Sequence, residues 1–185
     1  QQFSGGMRQR IMIAMAMSAK PDILIADEAT TALDVTTQAQ LLEMIRNIAK
    51  ETNTAVILVT HNLGIVARFA ERIYVMYSGS VVETAKTRDI FKKSEHPYTR
   101  SLLRAIPRLD DPKDRILIPI EGLPPNPALR PDYCPFYDRC EYHKPECCQK
   151  KKPDLAEVEK DHYSACWLSK EELQQKEIEI QNAPK

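Results

Sequence analysis

The run Ile23-Leu24-Ile25-Ala26 constrains this chain most: it stops at Asp27-Glu28 and is followed by a helix-spaced segment and a second apolar run, Thr54–Thr60, ending at His61. A short, unbroken apolar run fits a strand covered on both faces, as parallel strands usually are. Between the two runs, Thr36–Glu51 places Leu41, Leu42, Ile45 and Ile48 on one helical face. Strand, helix and strand in this order predict a parallel α/β sheet. In open sheets of this kind, functional groups gather at the carboxyl ends of the strands. Asp27, Glu28 and His61 all stand at such ends.

The remaining elements follow from local chemistry. Ser4 is an N-cap for a helix opening at Gly5-Gly6 and running to about Ala19, and its Met- and Ile-rich later turns read as core packing. Lys20-Pro21-Asp22 breaks it. Leu63–Phe69 is a short helix, and Arg72–Tyr77 and Ser80–Glu83 are two strands joined at Ser78-Gly79. Residues 87–106 are helical with a break at Pro97. The chain thus divides into a first domain over 1–106, a Pro-rich linker over 107–133, a Cys-bearing segment over 134–168 and a polar, helix-prone tail over 169–185. Within the linker, Ile116–Ile120 is a further strand candidate.

Charge excludes some partners. The chain has 26 basic and 26 acidic residues, so no basic excess advertises a nucleic-acid surface. The apolar stretches Ile11–Ala19 and Ala55–Thr60 fall short of the roughly 20 residues a membrane helix needs. The chain opens on Gln-Gln-Phe-Ser-Gly-Gly, inside a motif, as expected of a portion of a longer protein.

Asp27-Glu28 suits phosphoryl chemistry. One carboxylate can serve Mg²⁺, which takes hard oxygen ligands and keeps part of its water shell. The next can orient or deprotonate an attacking water. A bare pair of this kind is more often a solvated acidic turn, but three other segments stand in order around it. Ser4-Gly5-Gly6-Met7-Arg8-Gln9 resembles the signature loop of the ABC ATPase family, Ile23–Glu28 its Walker B strand with the catalytic glutamate, Ala32-Leu33-Asp34 its D-loop, and Thr60-His61 its switch histidine. The resemblance covers roughly the first hundred residues and implies a partial P-loop-NTPase-like, α/β nucleotide-binding domain.

The resemblance also implies roles. Glu28 and His61 are the catalytic candidates, and Ser4, Gly5, Gly6, Gln9, Asp27 and Asp34 the candidates for binding ATP and Mg²⁺. Glycines let backbone approach a phosphate, and a helix N-terminus favours an anion, so the signature loop would meet the γ-phosphate held by a second ATP-binding subunit. Met7 and Ala29 depart from the Gln and Pro often found at these positions, but the chemical groups stay intact. No Gly-rich phosphate loop with Lys-Ser/Thr occurs in these residues. These residues alone are therefore expected not to hydrolyse ATP.

His96-Pro97-Tyr98-Thr99-Arg100, with Leu102-Leu103 and Ile106-Pro107, resembles the subfamily that energises import of oligopeptides, dipeptides and nickel; by itself it reads as a helix start. All five cysteines lie beyond residue 133. Cys134, Cys140, Cys166 and one of Cys147 and Cys148 resemble that subfamily's C-terminal cysteine motif, which implies a small Cys-rich extension holding a [4Fe–4S] cluster. Cys147 is the preferred fourth candidate, because its spacing from Cys140 fits the motif better; Cys148, the alternate, fits the spacing to Cys166 better. A zinc site on four of these cysteines, or with His143 or His162 in place of one, and free thiols are the alternatives. The resemblance further implies transmembrane permease subunits and, indirectly, an extracytoplasmic substrate-binding protein as partners, with the chain peripheral at the cytoplasmic face of the membrane. An ABC ATPase without transport and a metal-binding or interaction module are the competing readings.

Overall fold

The computed structural model describes residues 3–29, 33–107, 119–126 and 131–182. Contacts divide the chain into two compact units, 1–70 and 71–185.

In the first unit, α1 (Gly5–Ser18) starts at Ser4, whose Oγ accepts from the Met7 N–H at 3.3 Å. The chain turns through Lys20, in the left-handed region at φ 49°, into β1 (Ile23–Asp27). Asp34 caps α2 (Val35–Thr52) by accepting from the Thr37 N–H at 2.9 Å. That helix ends at Asn53, φ 54°, with the Thr54 N–H reaching back to the Ala49 carbonyl at 2.9 Å, the bond that closes a left-handed helix terminus. The Thr54 hydroxyl and the Ala55 N–H then bond Pro21 and Asp22 carbonyls at 2.8 Å, which aligns the start of β2 (Ala55–Val59) with that of β1. The two strands run parallel with Ile25 opposite Ile57 and Asp27 opposite Val59. α3 (Leu63–Phe69) follows at once, capped by Asn62.

Ile13, Met17, Leu41, Leu42, Ile45 and Ile65 form the core, with Leu24 and Leu58 packed against it. The expectation of a strand buried on both faces is corrected here. Ala26 is buried, while Ile23 and Ile25 are 57% and 65% exposed. Alternation sends Leu24, Ala26 and Leu58 toward the helices and leaves Ile23, Ile25, Ile57 and Val59 on an open face. The Met-rich core reading of α1 is corrected in the same way. Only Ile13 and Met17 are buried, and Met12 and Met15 are exposed.

In the second unit, β3 (Arg72–Tyr77) and β4 (Ser80–Lys86) form a hairpin closed by Ser78 and Gly79, both at positive φ, as a two-residue turn matched to strand twist requires. α4 (Thr87–Lys93) and α5 (Pro97–Arg104) are separated at Pro97. The cysteine region adds a 3₁₀ turn at Tyr137–Arg139, α6 (Pro145–Cys148), β5 (Ala156–Glu159) and β6 (His162–Ser164), and α7 (Lys170–Asn182) ends the described chain. β6 pairs with β4 through Glu83 opposite Ser164, so one antiparallel sheet ordered β3-β4-β6-β5 joins residues from both sides of the Pro-rich stretch. Most of the Ile116–Ile120 strand candidate lies outside the described residues; residues 119 and 120 form no strand.

Tyr77, Val82, Phe136, Cys140, Tyr142, Leu168 and Leu173 make this unit's core. Glu83 is fully buried within it. Its carboxylate accepts from the Glu95 N–H at 2.6 Å and the His96 N–H at 3.2 Å, and lies 2.7 Å from His162 Nε2. One buried acid therefore ties β4, the entry to α5 and β6 together. A buried carboxylate is tolerable only when its lone pairs are satisfied in this manner.

Candidate phosphoryl-transfer site and cysteine pocket

The parallel register of β1 and β2 ends both strands at one edge. Glu28 follows β1 and donates its N–H to the Val59 carbonyl at 3.0 Å. It adopts φ 45°, a conformation that costs an L-residue with a Cβ about 1 kcal/mol or more. Two residues after Val59, His61 brings Nδ1 to 3.0 Å from Glu28 Oε1. Both side chains are more than half exposed, so the pair faces solvent, where a reactant can enter. Asp27 lies opposite Val59 on the same edge.

His61 is held by its neighbours. The Thr60 Oγ1 accepts from the Asn62 N–H at 3.0 Å, and Asn62 Oδ1 accepts from Gly64 and Ile65 N–H groups at 3.0 and 3.3 Å. The histidine thus sits in a turn fixed on both sides. Asn62 was not among the sequence candidates, although an Asn opening a helical run is a legible capping signal.

The signature segment meets the start of α2. A Cβ placed on Gly6 would stand 3.1 Å from the Thr37 methyl, and one on Gly5 would stand 3.8 Å from Leu33. Glycine at position 6 therefore permits a close approach between the N-terminus of α1 and the turn that Asp34 caps. Hydrogen bonds from the Thr37 side chain and backbone hold the Asp34 carboxyl below its ordinary range. Gln9 is half-buried one turn into α1. Ala32 lies outside the described residues. Glu28 and His61 are thus joined directly, and Ser4–Gly6 and Asp34 adjoin one another around Thr37.

The second unit gathers the cysteines. Cys134, Cys140, Cys148 and Cys166 line one small pocket, with Phe136, Leu168 and Pro97 among its apolar walls. Cys147 is not part of that lining; its sulfur lies 3.6 Å from that of Cys148 and equally far from the Lys144 carbonyl. Cys148 is buried, whereas Cys147 is only partly so. Burial pushes the Cys134 thiol up, the Cys166 thiol to about 12 and the Cys140 thiol further still. Such thiols stay protonated at neutral pH unless a cationic group in the pocket offsets their charge. Among the described residues, no three His, Cys, Asp or Glu side chains come together closely enough to hold a single metal ion. His143 also lines the pocket, but its Nδ1 lies 2.6 Å from the Cys140 carbonyl, and His162 is engaged with Glu83. The four thiols share one apolar enclosure, and thiolates are the ligand type that soft metal groups take.

Residues 1–31 match the ABC transporter family, and residues 82–147 match the oligopeptide/dipeptide transporter C-terminal region. The dipeptide transport ATP-binding protein DppD of Bacillus subtilis (strain 168) is 50% identical over 167 residues, covering 90% of this chain and 49% of that protein. The oligopeptide transport ATP-binding protein OppD of Salmonella typhimurium is 47% identical over 172 residues, covering 93% and 50%. OppD of Escherichia coli (strain K12) is 46% identical over 172 residues, with the same shares. The chain spans about half the length of the curated relatives it matches. No described helix is long and apolar enough to cross a membrane.

Proposed function

We propose that the chain is part of an ABC-type ATP-binding subunit of the oligopeptide/dipeptide class and that it supplies the hydrolytic edge of an ATP site that powers peptide import. The observation that carries this reading is the 3.0 Å approach of His61 Nδ1 to Glu28 Oε1 at the shared carboxyl edge of β1 and β2. In this reading Glu28 orients and deprotonates the attacking water, and His61 both holds that carboxylate and meets the γ-phosphate. Asp27 serves Mg²⁺ through water. Ser4, Gly5 and Gly6, with Gln9 behind them, present the N-terminus of α1 to the nucleotide of a second ATP-binding subunit, and Asp34 stiffens the neighbouring turn. Transmembrane permease subunits would receive the resulting motion, with the chain peripheral at the cytoplasmic face.

Glu28→Gln tests this in an ATP-binding subunit that carries these residues together with a phosphate loop. It keeps shape and hydrogen bonding but removes the base, so turnover should fall at least about 100-fold while ATP binding persists. Hydrolysis at the parental rate would sink the assignment.

The cysteine pocket supports a second component of the reading. Cys134, Cys140, Cys148 and Cys166 would hold a [4Fe–4S] cluster, with Cys148 rather than Cys147 in the fourth place because it alone of the two lines the pocket. The cluster would supply cross-links and positive charge to a small core, which suits a staple. Anaerobic purification should give iron and acid-labile sulfide in equal amounts, lost in Cys148→Ser and retained in Cys147→Ser. Zinc without sulfide would replace this reading with a zinc site.

A further inference from the structure

Arg100 closes the His96-Pro97-Tyr98-Thr99-Arg100 motif, and its side chain is 15% exposed. Its Nε donates to the Ser94 carbonyl at 2.8 Å, which holds the guanidinium against the start of α5. One terminal nitrogen lies 3.6 Å from the buried Glu95 carboxylate. The other turns to α7, where it donates to the Leu173 carbonyl at 3.4 Å and lies 3.7 Å from Glu177. Arg104, one turn further along α5, comes within 4.0 Å of the same carboxylate, and the Tyr142 hydroxyl donates to it. Glu177 therefore meets two guanidinium groups and a phenol, all supplied from outside its own helix.

The helix so held has little else to hold it. It opens on a capping box, with the Glu172 N–H donating to Ser169 Oγ at 3.3 Å and the Ser169 N–H donating to Glu172 at 2.8 Å. It has 13 residues, a length that is marginal in water without tertiary support. Leu173 is its one fully buried apolar side chain among the described residues; Ile180 packs partly on the same core, and Ile178 is 56% exposed. A segment with few buried apolar contacts and partly solvated polar links opens before the rest of a fold. Salt screens links of that kind.

We propose that α7 is a salt-released strap: Arg100 and Arg104 latch it through Glu177 over the core that holds Leu173 and Tyr142, and weakening the latch lets α7 lift and unwind while the β3-β4-β6-β5 sheet stays formed. Lifting withdraws Leu173 from the core and takes Glu177 away from the Tyr142 hydroxyl, so the open form bares an apolar seat. Arginine suits the latch because its planar fork reaches a carbonyl and two carboxylates at once, which an ammonium cannot.

Amide hydrogen exchange on the whole chain, resolved by segment, tests this. Raising sodium chloride from about 0.1 M to about 1 M shortens the screening length from about 10 Å to about 3 Å. Exchange in α7 should rise severalfold over that range while β3 and β4 keep their rates, and trypsin cleavage after Lys176 should rise with it. Glu177→Gln keeps an acceptor for Tyr142 but removes the charge, so α7 should exchange at least about 10-fold faster in low salt and lose most of its salt dependence. Arg100→Lys should fall between parent and Glu177→Gln. Leu173→Ala should also loosen α7 but keep the salt dependence, since its latch is intact. An α7 that exchanges only together with the sheet, an α7 rate unmoved by salt, or a parental rate in Glu177→Gln would overturn the proposal. If Arg100→Lys opens the sheet as well, Glu177→Gln decides: joint loss of protection there makes α7 part of the core and overturns the strap.

Discussion

At the scale of single residues, Glu28 combines a demanding backbone with an exposed carboxylate. Its φ of 45° suits glycine better than glutamate. A side chain kept in such a place is held by its surroundings, here by the N–H bond to Val59 and by His61. Glu28→Gly should therefore leave the first unit unchanged or stabilise it by up to about 1 kcal/mol, since relief of strain outweighs an exposed ion pair and the added chain entropy of glycine. Amide hydrogen exchange along β1 and β2 measures this, and the expected change is greater protection. Markedly weaker protection would show that the carboxylate is a structural rather than a chemical requirement.

At the scale of elements, charged side chains clamp the second unit's periphery. Glu159 at the end of β5 receives Lys93 of α4 at 2.8 Å and also binds Lys170 of α7. Lys170 first, and Lys93 next, hold the Glu159 carboxyl down to about 2 from an ordinary 4.5. The sign follows from linkage: a depressed carboxyl adds stability above pH 4.5 and loses it as pH falls from 4.5 toward about 2. The groups are partly solvated, so the effect is small and salt-sensitive. Urea unfolding as a function of pH should show an acid limb that is shallower in Glu159→Gln, which also lowers stability at pH 7. An identical limb in both proteins would show that the clamp contributes nothing.

At the scale of the whole molecule, each unit has its own core, and the two are built differently. The first covers one face of a two-stranded parallel sheet and leaves Ile23, Ile25, Ile57 and Val59 open. Parallel sheets usually carry cover on both faces, and the described residues cover one. The second unit closes around aromatic residues, the buried Glu83 and the cysteine pocket. Tyr77, Tyr98 and Phe136 pack within 5.3 Å of one another by ring centroids, beside the helix that begins at Pro97.

The linear order of residues determined much of this by itself. Strand β1 ending at Asp27-Glu28, the caps at Ser4 and Asp34, the Ser78-Gly79 hairpin and the break at Pro97 all arise from neighbours within a few positions. Periodicity, capping and turn chemistry are short-range, and so they are legible. Tertiary structure alone decided the rest. It brought His61 to Glu28 across 33 positions, left Met12 and Met15 in solvent, and turned Cys148 rather than Cys147 inward. Each of these depends on burial and direction, which are set by packing between distant segments and leave no trace in local spacing.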